Sequence, residues 1–270
     1  MMKKITTLLL LSLVFNSCGE YQKVLKSDDY NFKYTKAVAY YEAEDFNRAM
    51  PLFNELSTVL RGTANMQEVS YYFAYCHYSA SDYLMAAYLF NKYTQNYPNG
   101  KHSEECAYMS AYCYYLEAPN YSLDATNNYK AIKELQAFAD RFPLSDRVEK
   151  CNILLDELRS ILSKKAFENA KQYYTTENYK SAIIALENVL IDYPSYTKRE
   201  EVHFLIVKSS YSLAVNSIST KVNTRLKATL DAYSHFKDNY PNSDYIKDLE
   251  NTYKKTNQTL MELKENNNEI

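Results

Sequence analysis

Apolar residues recur along this chain at the spacing of amphipathic helices, in runs that end at similar intervals. Four runs close on an aromatic residue followed by proline, at Tyr97-Pro98, Phe142-Pro143, Tyr193-Pro194 and Tyr240-Pro241. Successive prolines are 45, 51 and 47 residues apart. Because proline is common just past a helix end and cannot continue the helix, this punctuation predicts helical repeats of similar length.

Small and large apolar residues hold fixed places within these repeats. In the second helix of each repeat, a small residue is followed four positions later by a large apolar one. The small residues are Ala49, Ala86, Ala131 and Ala182, and the large ones are Phe53, Phe90, Leu135 and Leu186. The first helices carry small residues at Ala37, Ala74 and Ala170. This arrangement resembles the tetratricopeptide repeat, in which stacked helix pairs bury a face that one pair cannot bury alone.

The sequence therefore predicts an all-α fold, a right-handed superhelical α-solenoid of about five tetratricopeptide-like helix pairs. Repeats one to three occupy residues 31–144, and residues 145–243 hold a long linker helix, from 145 to about 176, with repeats four and five. The third and fifth repeats are expected to be lengthened between their helices, around 117–120 and 217–224. Residues 244–270 are expected to form a capping helix and a polar tail, disordered from Lys264 onward.

The first residues of the chain have the pattern of an export signal. Lys3 and Lys4 precede an apolar run, residues 5–15, that is too short to span a bilayer. A small residue followed by Cys18 then resembles a bacterial lipobox. We predict a signal peptide over residues 1–17 and a tether over 18–30 that is lipidated on Cys18. The alternative is an ordinary cleaved signal with an incidental cysteine.

Composition excludes several classes of protein. The chain has 31 basic and 33 acidic residues and a net charge of -2, which argues against a nucleic-acid partner. Its three glycines cannot make a dinucleotide-binding fingerprint or a phosphate-binding loop, and they make a turn-rich β-fold improbable. With 29 tyrosines and no tryptophan, the chain is also unusual in its aromatic residues.

No pattern in the sequence indicates catalysis. The four histidines are scattered, and acidic pairs such as Glu104-Glu105 lie at predicted helix starts, where the helix dipole favours negative charge. We therefore expect no enzyme, no metal site and no cofactor. Four further cysteines lie in helical stretches without metal-ligand spacing and are expected to be buried thiols: Cys76, Cys106, Cys113 and Cys151.

The tyrosines in the first helices of repeats one to three recur at an interval of 37 residues. They occupy positions i, i+4 and i+7, which share one helix face. The eight residues are Tyr34, Tyr41, Tyr71, Tyr75, Tyr78, Tyr108, Tyr112 and Tyr115, with Val38 at the ninth position. We predict that they line a peptide-binding groove, because tyrosine offers apolar area, a hydroxyl group and little rotamer entropy to lose. The alternative is that the rings only fill the interior of the superhelix.

Several segments are similar to a known family. They are residues 40–49, residues 124–145 with Arg141-Phe142-Pro143, and residues 158–194 with Tyr173-Tyr174 and Tyr193-Pro194. Together with the lipobox and the long linker helix, they resemble the BamD family of outer-membrane assembly lipoproteins. The resemblance implies an accessory lipoprotein of the β-barrel assembly machine at the periplasmic face of the outer membrane. It further implies that the N-terminal repeats receive C-terminal strands of unfolded outer-membrane proteins, and that the C-terminal repeats dock on a BamA-like barrel subunit.

Two other functions are alternatives to this one. One is a periplasmic tetratricopeptide lipoprotein that coordinates cell-wall synthesis with envelope constriction, in which repeats also end in an aromatic residue and proline. The other is a helical glycan-binding or glycan-cleaving lipoprotein, which the absence of tryptophan disfavours.

Overall fold

The computed structural model describes residues 19–268, and between them every regular element is a helix and none is a strand. After a short helical segment (residues 19–25), eleven helices follow in this described part of the chain. They are α1 (Tyr30–Glu42), α2 (Phe46–Val59), α3 (Met66–Ser79), α4 (Tyr83–Asn96), α5 (Ser103–Leu116), α6 (Thr126–Arg141), α7 (Val148–Thr175), α8 (Tyr179–Asp192), α9 (Arg199–Val215), α10 (Ser219–Asn239) and α11 (Ile246–Asn268). The predicted all-α fold of repeated helix pairs is confirmed. The predicted signal peptide and the lipidated Cys18 lie outside the described residues.

The described helices belong to two compact units. The N-terminal unit holds α1 to α6 and α7 as far as Leu158, and the C-terminal unit holds α7 from Arg159 together with α8 to α11. Asn120–Ser122, from the connection between α5 and α6, belongs to the C-terminal unit. Within each unit, helices that follow one another in the chain pack together, as in α4 with α5 and α9 with α10.

The turns inside the repeats explain how so few glycines suffice. Glu44, Ser81 and Glu177 adopt φ values of 56°, 59° and 61°, each between the two helices of a repeat. This left-handed region is costly for residues other than glycine, so packing of the flanking helices must hold the turn in place. Asp45, directly after the first of these turns, accepts a hydrogen bond from the backbone N–H of Arg48 and so caps α2.

The N-terminal unit buries its apolar residues in three clusters. Fully buried side chains at their centres are Leu52 and Phe53 in the first, Phe90 in the second, and Leu135 and Leu158 in the third. The predicted small positions in both units are fully buried or nearly so, at Ala37, Ala49, Ala74, Ala86, Ala131, Ala170 and Ala182. Burial of one large apolar side chain contributes about 1.5–3 kcal/mol, so these clusters supply most of the favourable energy of folding.

The C-terminal unit has its own core. Phe167 and Leu186 pack with Val189 and Val202, and a second cluster joins Phe236 to residues of α9 and α11. A third cluster contains Ala214, Leu226 and Leu260.

A buried lysine joins the leading helical segment to the repeats. Lys33 is 1% exposed, and its ammonium donates to the backbone oxygen of Leu25 at 3.1 Å. The same Nζ lies 2.6 Å from a carboxylate oxygen of Glu55 on α2. Because this group satisfies the last carbonyl of the leading segment, it fixes the chain entering the first repeat.

Three predictions about connections differ in their outcome. The long helix is present as α7 (Val148–Thr175), and residues 117–125 form an irregular connection as expected. The expected longer connection at 217–224 was wrong. Residues 219–224 instead form the first turns of α10, and only a short turn precedes that helix. The expected disorder from Lys264 was wrong as far as Asn268, since α11 continues that far through good helix formers such as Leu263, Lys264 and Glu265.

The four cysteines are buried and free, which confirms their prediction as structural thiols. Burial raises the pKa of Cys76 and of Cys113 to about 12, so both remain neutral thiols at physiological pH.

Candidate peptide-binding face

The eight predicted tyrosines lie on α1, α3 and α5, the first helices of repeats one to three. We call this set the tyrosine face. All eight rings are half-buried, so each side chain is partly packed and partly accessible. The adjacent positions Ala37, Ala74 and Ala111 are fully buried between helices. On α1, α3 and α5, the small residues therefore lie at the contact between helices, and the tyrosines lie beside that contact.

Five rings of the tyrosine face pack around the second core cluster. They are Tyr71, Tyr75, Tyr78, Tyr108 and Tyr112. On α3, the ring centroids of Tyr71 and Tyr75 are 4.9 Å apart, and Tyr75 meets the buried ring of Phe90 edge-on at 5.0 Å. On α5, Tyr112 stacks between Tyr108 at 5.8 Å and Tyr115 at 5.9 Å.

The remaining rings pack on neighbouring clusters. Tyr34 and Tyr41 pack on the first cluster and Tyr115 on the third. Tyr72, which the sequence pattern does not include, links the rings on the first cluster to those on the second. Its ring centroid is 4.7 Å from that of Tyr41 and 5.5 Å from that of Tyr71. The interpretation of these rings as interior packing therefore holds for their buried parts.

One carboxylate, that of Glu105, organises the centre of the face. Glu105, in the first turn of α5, accepts hydrogen bonds from the hydroxyls of Tyr75 at 2.5 Å and Tyr71 at 3.2 Å. Arg147 lies 3.9 Å from the same carboxylate. The available signal was that Glu105 follows Glu68 by 37 residues, the interval of the tyrosines themselves. The helix dipole alone predicts a carboxylate at this position but not its two tyrosine partners.

Other charged groups fix the edges of the face. The ring of His102 stacks on Tyr71 at 3.8 Å, and its Nε2 lies 3.2 Å from both carboxylate oxygens of Glu68. The guanidinium of Arg147 lies 5.1 Å from the Tyr108 ring centroid. At the far end, Tyr115 donates to Glu157 at 2.5 Å.

These surroundings keep the phenols protonated. Burial is the main cause that raises the pKa of Tyr71 and Tyr75, and the Glu105 carboxylate raises both further. Burial raises the pKa of Tyr41 to about 12, and the hydrogen bond to Glu157 raises that of Tyr115 to about 12. The hydroxyls are therefore neutral donors near pH 7. Such a surface can bind apolar or aromatic side chains and hydrogen-bond to a peptide, because partly exposed tyrosine rings combine both functions.

The C-terminal unit has phenylalanine and lysine in place of the first two tyrosines of this pattern and keeps the third tyrosine. Phe167, Lys171 and Tyr174 on α7 follow Tyr71, Tyr75 and Tyr78 by 96 residues. The pattern recurs 37 residues later on α9 as Phe204, Lys208 and Tyr211.

Both lysines form ion pairs. Lys171 Nζ lies 2.7 Å from Glu201, which follows Glu105 by the same 96 residues, and Lys208 Nζ lies 3.0 Å from Asp248. An ammonium–carboxylate pair thus occupies the place of the phenol–carboxylate hydrogen bond.

Within residues 19–268, no helix is long and apolar enough to cross a membrane. No group of three or more His, Cys, Asp or Glu side chains is arranged to hold a metal ion in that range.

Comparison with known proteins places the whole fold in one family. The sequence matches the family described as outer membrane lipoprotein, YfiO, over residues 27–197 and again over residues 163–265. The two matches together span α1 to α10 and most of α11. A comparison with curated proteins gave no match. The chain therefore belongs to the YfiO family of outer membrane lipoproteins.

Proposed function

We propose that this lipoprotein is an accessory subunit of the β-barrel assembly machine that holds unfolded outer-membrane proteins. In this proposal the tyrosine face of the N-terminal unit binds the C-terminal strand of the client. The observation that carries the proposal is the set of eight half-buried tyrosines at one repeated helix position, in a chain of the outer membrane lipoprotein family.

The chemistry of the face suits such a strand. Strands of outer-membrane barrels alternate apolar and polar residues and carry aromatic residues at both membrane interfaces. Aromatic pairs contribute about 0.5–1.5 kcal/mol beyond area burial, and a row of rings offers several such contacts in register. Because Glu105 already holds Tyr71 and Tyr75, little side-chain entropy remains to be lost when a peptide binds.

The C-terminal unit has the second role in this proposal, docking on a BamA-like barrel subunit. Its Lys171–Glu201 and Lys208–Asp248 pairs make the equivalent face polar and poorly suited to an apolar strand. Acylation of Cys18 holds the protein on the periplasmic face of the outer membrane, since a multiply acylated cysteine anchors stably. The protein catalyses no reaction in this account: it holds a client and orients the machine.

A binding assay with matched variants tests the client site. Fluorescence anisotropy measures the affinity for a labelled peptide copied from the C-terminal strand of an outer-membrane barrel. We expect Tyr78→Ala with Tyr112→Ala to weaken binding at least about tenfold, equivalent to about 1.4 kcal/mol. The control, Tyr174→Ala with Tyr211→Ala, removes two tyrosines of the C-terminal unit that follow Tyr78 and Tyr115 by 96 residues, and it leaves the affinity unchanged. Equal losses in both double variants would refute the assignment of the site.

Co-purification tests the partner. The full-length lipoprotein, extracted from the envelope in detergent, is expected to recover a BamA-like barrel subunit. Recovery of cell-wall synthases without that subunit would instead support the role in cell-wall synthesis.

A further inference from the structure

A second concave surface lies in the N-terminal unit, between α2 and α4 above α3. It consists of a cleft of about 620 Å³ that adjoins another of about 480 Å³, and both share Asn54 and Phe73 as lining residues. None of the eight residues of the tyrosine face lines either cleft. This surface, which we call the α2–α4 cleft, is therefore a separate candidate site.

The larger part of the α2–α4 cleft is positive. Arg61, just after α2, and Lys92, on α4, both line it, and none of its lining residues is acidic. Neither side chain takes part in an ion pair within residues 19–268. Both residues are exposed, and Lys92 Nζ lies 5.8 Å from the centroid of the Tyr88 ring. Two cations without carboxylate partners in one concave surface favour a negatively charged occupant.

The smaller part of the cleft is mostly apolar. Met50, Pro51, Phe73 and Met85 line it together with Asn54 and His77, and Met85 is 43% exposed. Methionine and aromatic side chains adapt to varied apolar partners, because the thioether is flexible and polarisable. An occupant that spans both parts must therefore carry negative charge at one end and apolar side chains at the other.

Between these two parts, the walls of the cleft carry side chains that can both donate and accept hydrogen bonds. Asn54, Ser57, Thr58 and Asn96 all line the larger part. Tyr93, at the back of the cleft, is held by hydrogen bonds from Gln67 at 2.6 Å and from the backbone N–H of His102 at 3.3 Å. Amide and hydroxyl side chains can pair with the N–H and C=O groups of a polypeptide, whereas an acyl chain has no such groups.

We propose that the α2–α4 cleft docks an acidic amphipathic peptide segment of a partner protein. Acidic side chains of the segment meet Arg61 and Lys92, and its apolar side chains enter the part lined by Phe73 and Met85. This mode of binding, with an amphipathic segment in a groove between helices, needs no rearrangement of the fold. The cleft would let the protein hold a second protein partner while the tyrosine face holds a client.

The first test uses a defined probe, a fluorescein-labelled 15-residue amphipathic peptide of glutamate and leucine. Fluorescence anisotropy with the full chain is expected to show saturable binding that Arg61→Glu with Lys92→Glu weakens at least about tenfold. The control, Lys227→Glu with Lys247→Glu, reverses two exposed lysines of the C-terminal unit and leaves binding unchanged. The same peptide with lysine in place of glutamate is expected not to bind.

A second variant tests the apolar part of the cleft, and a variant of the tyrosine face separates the two sites. Met85→Glu is expected to weaken probe binding with little change in the melting temperature, because Met85 is 43% exposed. Tyr78→Ala with Tyr112→Ala is expected to leave probe binding intact, so failure at either site is recognised separately. The proposal is overturned if probe binding is not saturable or ignores the Arg61 and Lys92 reversals. It is also overturned if phosphatidylglycerol vesicles bind through these two residues and the peptide does not.

Discussion

The N-terminal and C-terminal units carry chemically different side chains at one repeated helix position. In the N-terminal unit, Tyr75 donates a hydrogen bond to Glu105. In the C-terminal unit, 96 residues later in both cases, Lys171 forms an ion pair with Glu201. The carboxylate is present in both, and only its partner differs.

This difference shows how a repeat can keep its fold and change its surface. A phenol fills space, keeps its proton and leaves an apolar face, so the hydrogen bond orients a ring that can still bind an apolar strand. An ammonium–carboxylate pair is strongly hydrated and offers little to an apolar ligand. The contrast supports the proposal that a client binds to the N-terminal unit and not to the C-terminal unit.

The largest expected effect comes from the residues beneath the two faces. Phe90 lies under Tyr75, and Leu186 occupies the corresponding place in the C-terminal unit. Phe90→Ala is expected to lower the free energy of unfolding by about 3–5 kcal/mol, because a buried ring is replaced by a cavity. Urea denaturation measures this loss. Phe90→Leu, which installs the residue found in the C-terminal unit, is expected to cost clearly less, and equal losses would contradict this packing account.

Removal of the two carboxylates compares the units directly. Glu105→Ala leaves two half-buried hydroxyls without their acceptor and is expected to cost about 1–3 kcal/mol of stability. Glu201→Ala breaks a partly exposed ion pair and is expected to cost about 0–1 kcal/mol. Thermal unfolding of both variants checks the order. A larger loss for Glu201→Ala would show that the polar face, and not the tyrosine face, is the more tightly organised of the two.

Exchange of the turn residues is expected to affect both units alike. Ser81 in the N-terminal unit and Glu177 in the C-terminal unit have left-handed backbone conformations. Glycine relieves a strain of about 1–2 kcal/mol but loses more entropy on folding, so Ser81→Gly and Glu177→Gly should each stabilise by about 0.5–1 kcal/mol. Differential scanning calorimetry measures the shift. Destabilisation by either change would mean that side-chain contacts of the turn outweigh its strain.

The effects that are smallest at neutral pH are in the pH dependence of the two units. Tyr41 and Tyr115 have a pKa of about 12 in the folded N-terminal unit, above the ordinary value of 10.0. Above pH 10 the unfolded chain releases protons that the folded unit keeps, so stability falls as pH rises. Tyr41→Phe with Tyr115→Phe should reduce this alkaline loss.

The C-terminal unit is expected to respond at acidic pH instead. Burial lowers the pKa of His203 to about 4, below its ordinary 6.5, with help from His235 and Arg199. Between these values the unfolded chain binds a proton that the folded unit does not, so stability falls as pH drops from about 6.5 to 4. Urea denaturation at a series of pH values measures both trends, with His203→Gln as the control for the acidic one. An acid-induced loss of stability that persists unchanged in His203→Gln would contradict this assignment.

The repeat architecture can be predicted from the sequence because the residues that indicate it act locally. Alanines at helix contacts and prolines after helix ends act within one repeat, so Ala37 and Ala182 could be placed without knowing the fold. The tyrosine positions could be predicted from their 37-residue interval. The hydrogen-bond partners of the tyrosines could not, since the Tyr75–Glu105 bond joins residues 30 apart on different helices and depends on how those helices pack. The α2–α4 cleft is beyond sequence reasoning for the same reason, because three helices must come together before Arg61 and Lys92 share a surface.

Site-specific photocrosslinking in the cell envelope tests the central claim most directly. A benzophenone side chain is placed at Tyr78 on the tyrosine face, and in a separate protein at Tyr174, the corresponding position of the C-terminal unit. The account predicts crosslinks from position 78 to C-terminal strands of outer-membrane proteins and none from position 174. If position 78 labels only the lipoprotein itself while a BamA-like subunit still co-purifies, the tyrosines serve packing alone and the client-binding proposal is wrong.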